Sequence, residues 1–368
     1  MKSELPAYTA QEIKAALLAA GAAGTIYSLV MPESEDALGF VVDGGASGRR
    51  ADFLDLYREP WTQKQDAMHE TYFDLWLGWA APIVSLRADH FPCRYPTAGA
   101  SEGIFKLMAE HASALRAEGR EPAIHIFEGE YEGFPAFAEA LKLEVVRHDR
   151  SLWRDVPGQI GPGAMFWLSQ PSAIDGAVWP HFEAFAALLA DRQPEALLIP
   201  DLTYVGSVAR PFRLDLDFAS IPAFLISHSK PFGGYYHRVG GVFARREWPS
   251  LFGNKWFKNL QSLAWGCEMM RRHDVFALPR RYRPIQEEAA RRVGALLGVG
   301  ALAPVDVLLL GCARLEAPLP PLLASVLRGS PSERVIRLCL TPSMTCLIDP
   351  AMAPGTAPAL EAAWARLA

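Results

Sequence analysis

The chain has 368 residues, 50% of them hydrophobic and 21% charged, with a formal net charge of −5. That length and balance suit one large globular domain plus a smaller one. They speak against a nucleic-acid or anionic membrane-surface partner, for which no basic stripe and no zinc-finger, RRM or KH spacing is present.

In chain order, MKSELPAYTAQEIKAALLAAG carries two acids and reads as a surface helix, not a signal peptide. Residues 1 to about 60 are otherwise mixed, with a turn-rich DGGASGRR near Gly44. APIVSL is a short strand or a helix end. SEGIFKLMAEHASALRAEG places Ile104, Leu107, Met108, His111 and Leu115 at helical spacing and stops at Gly119. Strands are expected at AIHIF, EVVRH, AMFWLS, ALLIPD and AFLIS, with helices at FPAFAEALKL and HFEAFAALLADR and a hairpin return at GGVFARR. Beyond about residue 275 come a helix (PIQEEAARRVGALLG), a strand (DVLLLGCARL), a helix (PPLLASVLRG) and a strand (RVIRLCL). The longest apolar region is broken by Pro304 and Asp306, too interrupted for a membrane span. The five cysteines, Cys93, Cys267, Cys312, Cys339 and Cys346, form no CxxC pair and are odd in number; free thiols in a reducing cytoplasm are expected.

Strand–helix alternation implies an α/β fold: a mainly parallel sheet covered on both faces, as a three-layer large domain, followed by a smaller α+β domain. The expected division is 1–60 as an N-terminal part of the small domain, 61–275 as the large domain and 276–368 as the small domain. In such sheets ligands gather at the carboxyl ends of strands, so the residues after each apolar run carry the functional signal.

Those positions hold a distinctive set, and each member also has a plain structural reading. Ala100 and Ser101 in TAGASEG open a helix, where backbone N–H groups bind anions, although Ser101 could simply cap it. Tyr131 follows AIHIF. Asp201 ends ALLIPD; it is either a turn residue or a buried carboxylate needing a cationic partner. Tyr204 follows three residues on, a core ring or a hydroxyl donor. After AFLI come Ser227, Ser229 and Lys230; a desolvated lysine has a lowered pKa and condenses with aldehydes, whereas a solvated one is only a strand-exit charge. SHSK also fits the S-x-x-K signature of serine acyl-transferases, but Pro231 and two glycines favour a loop where that chemistry needs a helix, and no S-D-N or K-T-G accompanies it. Arg238 lies eight residues beyond Lys230 and either clamps a phosphate or pairs on the surface.

Taken in order, phosphate cradle, aromatic ring, Asp-x-x-Tyr, Ser-x-Ser-Lys and Arg resemble the fold type I pyridoxal-phosphate enzymes, the aspartate aminotransferase superfamily, from about Tyr95 to Arg245. KPFGGYYHRVGG is similar to that family's lysine-to-arginine loop. The resemblance implies pyridoxal 5′-phosphate as cofactor, Lys230 as its Schiff-base lysine and proton carrier, Asp201 on the pyridinium nitrogen, Tyr204 on the ring oxygen and Tyr131 stacked on the ring. It implies Ala100, Ser101, Ser227, Ser229 and Arg238 around the phosphate, and Arg337 of RVIRLCL on a substrate carboxylate; otherwise Arg337 is a surface charge. It further implies a homodimer, with Tyr57 or Tyr72 as candidates to reach a partner's phosphate site. Trp61, Trp76, Trp79 and Trp256 are read as packing or interface residues rather than pocket lining.

One departure stands out. The family's Asn-Pro-x-Gly is replaced by SQPSAIDG, which puts Ala173 at the asparagine position and leaves Ser169, Gln170 or Ser172 as substitutes. The expected activity is transamination between an α-amino acid and a 2-oxo acid. Another reaction on the same cofactor is the alternative: elimination or replacement at Cβ or Cγ, in the manner of aminocyclopropane carboxylate synthase relatives, or a lyase reaction, decarboxylation or retro-aldol cleavage; a non-catalytic ligand-binding relative is the third reading.

Overall fold

The computed structural model of the chain describes residues 9–43, 66–297, 302–316 and 326–352. Its helices are α1 (Ala10–Ala19), α2 (Pro32–Asp43), α3 (Asp66–Ala80), α4 (Ala100–Ala117), α5 (Gly133–Ala140), α6 (Phe182–Arg192), α7 (Pro249–Phe252), α8 (Leu260–Arg272), α9 (Ala277–Leu297) and α10 (Thr341–Ile348). Its strands are β1 (Val84–Ser85), β2 (Cys93–Thr97), β3 (Ala123–Phe127), β4 (Glu144–His148), β5 (Met165–Ser169), β6 (Leu197–Asp201), β7 (Leu214–Asp215), β8 (Ala223–Ser227), β9 (Gly240–Ala244), β10 (Ala303–Pro304), β11 (Leu310–Arg314), β12 (Arg328–Ser330) and β13 (Val335–Cys339).

Seven strands form one sheet in the order β2-β9-β8-β6-β5-β3-β4, and only β9 runs antiparallel to its neighbours. All five residues of β5, of β6's neighbour β8 and of β9 are buried, as expected for central strands covered on both faces. Alternation along them splits the core in two. Met165, Trp167 and Leu225 pack with Ile104 and Leu107 of α4 on one face. Phe166, Leu168, Phe224 and Ile226 pack with Phe73 and Trp76 of α3, Phe185 of α6 and Leu263 of α8 on the other. The large sheet is therefore the middle of three layers, as the strand–helix alternation implies.

A second, antiparallel sheet has the order β10-β11-β13-β12. The N-terminal segment joins it: Ala23 bridges to Cys339, and each backbone N–H of that pair donates to the other's carbonyl. The segment then runs past the loop that follows β8. There Gly233 has φ +68°, and any Cβ on it would collide with the carbonyl oxygen of Leu29. This contact brings Ile26 to Ser28 to the carboxyl edge of the large sheet.

Several sequence expectations need correction. DVLLLGCARL is a turn through Leu309 and a strand only over Leu310–Arg314. The helix expected at PIQEEAARRVGALLG begins earlier, at Ala277, with Pro284 inside it. Most of PPLLASVLRG lies outside the described residues, and its last residues begin strand β12. Tyr57, Trp61 and the DGGASGRR patch beyond Asp43 also lie outside them. Tyr72 is fully buried against Phe73 and His228, with its hydroxyl sealed inside its own subunit, so it cannot reach a partner. Trp76 and Trp79 are core, as read, while Trp256 is half-exposed. All five cysteines are free thiols. Among the described residues no helix is long and apolar enough to cross a membrane.

Candidate active site

The strand ends on the carboxyl side of the large sheet open into one cavity of about 650 Å³. Nine of the ten residues singled out from sequence line it: Ala100, Ser101, Tyr131, Asp201, Tyr204, Ser227, Ser229, Lys230 and Arg238. They arrive from β2, β3, β6 and β8, whose parallel run delivers their carboxyl ends to the same edge.

One corner of the cavity is built for an anion. Helix α4 begins there with Gly99 as its N-cap, and no side chain caps it. Ser101 is thus not the capping residue; its side chain lies beside the Tyr131 hydroxyl. The guanidinium of Arg238 lies beside the same helix start, donating to the carbonyl oxygen of Ala98 at 2.8 Å. Arg238 adopts φ +50°, an uncommon backbone for a non-glycine residue, as the loop folds back towards β9. Ser227 and Ser229 complete the corner: the Ser227 hydroxyl donates to Ser229 Oγ at 3.1 Å and accepts from the Ser229 N–H at 3.2 Å. Free helix N–H groups, three hydroxyls and a fixed guanidinium suit a phosphate dianion.

Opposite lies a carboxylate in want of a cation. Asp201 is 5% exposed. Its Oδ1 accepts from the Thr203 N–H at 3.0 Å and from the Thr203 hydroxyl at 2.5 Å. Among the described residues no ammonium or guanidinium pairs with it, and burial pushes its pKa up to about 6. A protonated ring nitrogen would relieve that cost.

Lys230 is the reverse case. Its Nζ donates to the Ile26 carbonyl oxygen at 2.7 Å, and burial lowers its pKa to about 8. A larger share of such an amine is neutral at physiological pH, the nucleophilic form that condenses with an aldehyde. Tyr131 packs edge-on against Phe134, which fixes its ring at the wall. Tyr204 is 5% exposed, and burial drives its pKa well above the usual phenol value, so it stays a hydroxyl donor.

The SQPSAIDG segment leaves β5 at the edge of the cavity. Ala173 is buried and its carbonyl oxygen accepts from Arg337. Gln170 is occupied: its amide donates to the Trp179 carbonyl oxygen and accepts from the Trp179 N–H. The Ser172 hydroxyl accepts from Arg150 and from the Ile174 N–H. Ser169 lines the cavity, but its hydroxyl donates to Glu130 at 2.9 Å. Of Ser169, Gln170, Ser172 and Tyr204, only Ser169 and Tyr204 line the cavity, and the Ser169 proton is taken by Glu130.

Arg337, the tenth residue, lies on β13 and does not line the cavity. It is fully buried, donating to the carbonyl oxygens of Ala173 and Gly24, with the Glu132 carboxylate 3.8 Å from Nη2. The surface-charge reading of Arg337 is therefore wrong. Sequence reasoning missed Glu132, Thr203 and the Ile26–Ser28 segment, all of which line the cavity. Thr203 had a signal, since a hydroxyl two residues after a turn aspartate closes an Asx turn. The other two depend on contacts distant in sequence.

No family model matches the sequence, and no curated protein matches it. Solved structures do. A pyridoxal-phosphate-bound C-S lyase from Staphylococcus hominis matches with a TM-score of 0.61 at 12% identity, over 93% of this chain and 93% of its own. A Thermus thermophilus aspartate aminotransferase variant gives 0.60 at 12%, over 94% and 95%. An Escherichia coli protein with a methionine aminotransferase function gives 0.56 at 15%, over 94% and 97%. At these identities the likeness establishes the architecture: the chain has the fold of the aspartate aminotransferase-like, fold type I enzymes.

Proposed function

We propose that the protein is a pyridoxal 5′-phosphate enzyme acting on amino-acid substrates, with transamination between an α-amino acid and a 2-oxo acid as its reaction. The observation that carries this reading is the convergence of a desolvated amine, an unpaired buried carboxylate and an anion corner on one cavity. The cofactor, when bound, supplies an aldehyde that captures amines and a ring that accepts electrons from the adjacent carbon.

The chain's own residues do the rest. Lys230 Nζ would hold the cofactor's aldehyde carbon and, as a neutral amine, would be the group placed to move a proton. Asp201 keeps a proton on the ring nitrogen, and Thr203 holds Asp201 in place. Tyr204 would offer its hydroxyl to the ring's oxygen and Tyr131 would cover the ring. Ala100, Ser101, Ser227, Ser229 and Arg238 hold the phosphate. Arg337 would serve a substrate carboxylate only by opening to the cavity, from which it is set back, buried beside Glu132.

A second reading, elimination or replacement at Cβ or Cγ, is favoured by one observation: the amide that the family places on the ring oxygen has no replacement among Ser169, Gln170 and Ser172. We assign the 61–275 segment as the cofactor-binding domain and 276–368 with the N-terminal segment as the small domain, supported by the Ala23–Cys339 bridge. A cytoplasmic homodimer is part of the proposal. Tyr235 and Tyr236 at the cavity mouth are half and almost fully exposed, as a pairing surface requires.

The test is a spectral titration of the cofactor-loaded protein with L-amino acids. Conversion to the amine form of the cofactor with release of a 2-oxo acid supports transamination. Ammonia and 2-oxo acid without that conversion support elimination. No response to any amino acid would return the non-catalytic reading.

A further inference from the structure

Ser169 and Asp201 are register partners at the carboxyl ends of β5 and β6. Their side chains therefore leave the same face of the sheet, from backbones about 5 Å apart. Both line the cofactor cavity. Rotation about χ1 can carry the Ser169 hydroxyl towards the Asp201 carboxylate. It points elsewhere, donating to Glu130 Oε2 at 2.9 Å.

Glu130 is placed to receive that proton. It lies in the loop after β3 and is 8% exposed. Three hydrogen bonds hold its carboxylate, and among the described residues no ion pair does. Oε1 accepts from the Ser169 N–H at 3.1 Å, and Oε2 accepts from the Ser169 hydroxyl and, at 3.1 Å, from the Tyr131 N–H. Two of the three donors thus belong to Ser169. A buried carboxylate is costly, and burial pushes this one's pKa up to about 7. The benefit falls on Asp201. Its Oδ1 is taken by both donors of Thr203, while Oδ2 accepts from no group among the described residues. A hydrogen bond from Ser169 would make Asp201 a weaker base and occupy the oxygen that a ring nitrogen needs.

We propose that Glu130 is a positioning residue: by holding the Ser169 proton, it keeps the second oxygen of Asp201 free for a protonated ring nitrogen. This rests on the cofactor reading of the site, with Asp201 on the ring nitrogen. In Glu130→Gln the amide nitrogen donates to Ser169 Oγ, where the carboxylate accepted. The hydroxyl proton must then find another acceptor, and Asp201 is beside it.

The test compares pyridoxamine 5′-phosphate with its 1-deaza analogue, in which a C–H replaces the ring nitrogen. Dissociation constants are measured calorimetrically on the cofactor-free full chain at pH 8.5, about where Glu130 is a carboxylate. The ratio of the two reads the contact between Asp201 and the ring nitrogen. The wild type is expected to prefer the nitrogen-bearing compound by about thirtyfold or more, and Glu130→Gln by about threefold or less. Adding Ser169→Ala to Glu130→Gln removes the competing hydroxyl and should restore a preference of about tenfold or more. Such a rescue is not expected of a merely structural carboxylate. A ratio unchanged by Glu130→Gln overturns the proposal, and so does a loss that Ser169→Ala does not restore, whether of the ratio or of both ligands. A wild type that binds the two compounds alike, or neither, overturns instead the reading on which it rests.

Discussion

Gly99 lies directly against the guanidinium of Arg238: a Cβ at position 99 would stand 2.9 Å from Nη2. Gly99 also has φ +79°, a conformation costly to any residue with a side chain. The helix start and the arginine are packed as one unit, so the anion corner depends on the absence of a single carbon.

Gly99→Ala is therefore expected to weaken pyridoxal phosphate binding by about tenfold or more, by displacing Arg238. Binding of unphosphorylated pyridoxal should change little. Comparing the two aldehydes by absorbance titration checks this; equal losses for both would show general misfolding of the site instead.

Asp201 makes the cofactor-free protein less stable than it could be. Its folded pKa is about 6, raised above 3.8. The native state thus binds more protons than the unfolded state between those values, and stability falls as pH rises through that window. Above pH 6 the full penalty applies. Asp201→Asn should raise the melting temperature of the cofactor-free protein at pH 8, with the gain vanishing below about pH 4. In the loaded protein it should lower turnover by about 100-fold or more, because an amide holds no proton on the ring nitrogen.

Lys230 should react as an amine of pKa about 8. The rate at which pyridoxal phosphate condenses with the cofactor-free protein is expected to climb with pH, with a midpoint about there, and then level off. Stopped-flow absorbance across pH 6 to 10 reads it. A midpoint near the ordinary lysine value of 10.5 would mean that the amine is solvated.

Tyr204 is predicted to be the sole side-chain donor to the ring oxygen, since the Ser169 proton goes to Glu130 and Gln170 and Ser172 do not line the cavity. Removing its hydroxyl leaves the ring oxygen more basic, which strengthens its hold on the neighbouring proton of the lysine link. Tyr204→Phe should raise the pH at which the loaded protein's visible band titrates by about one unit or more. A pH titration of the absorbance spectrum measures the shift; no shift would return the role to another group.

Much of this architecture is written locally. AIHIF, EVVRH and AFLIS coincide with β3, β4 and β8 because each is a five-residue run bounded by turn residues. Lys230 and Asp201 were legible because they end such runs. Helix α8 was not, because Ser262 and Glu268 sit buried within it and interrupt its apolar stripe. Arg337 was placed on the right strand, but its surroundings were hidden: Glu132, which faces it, belongs to the loop after β3, and only the tertiary fold brings them together. The same holds for Ile26, whose carbonyl receives the Lys230 ammonium from the far end of the chain.

The most direct measurement is reduction of the pyridoxal phosphate-treated protein with borohydride, followed by peptide mass mapping. The account predicts a single phosphopyridoxyl group on Lys230, absent in Lys230→Ala. A colourless protein with no mass added at Lys230, or label scattered over surface lysines, would contradict it.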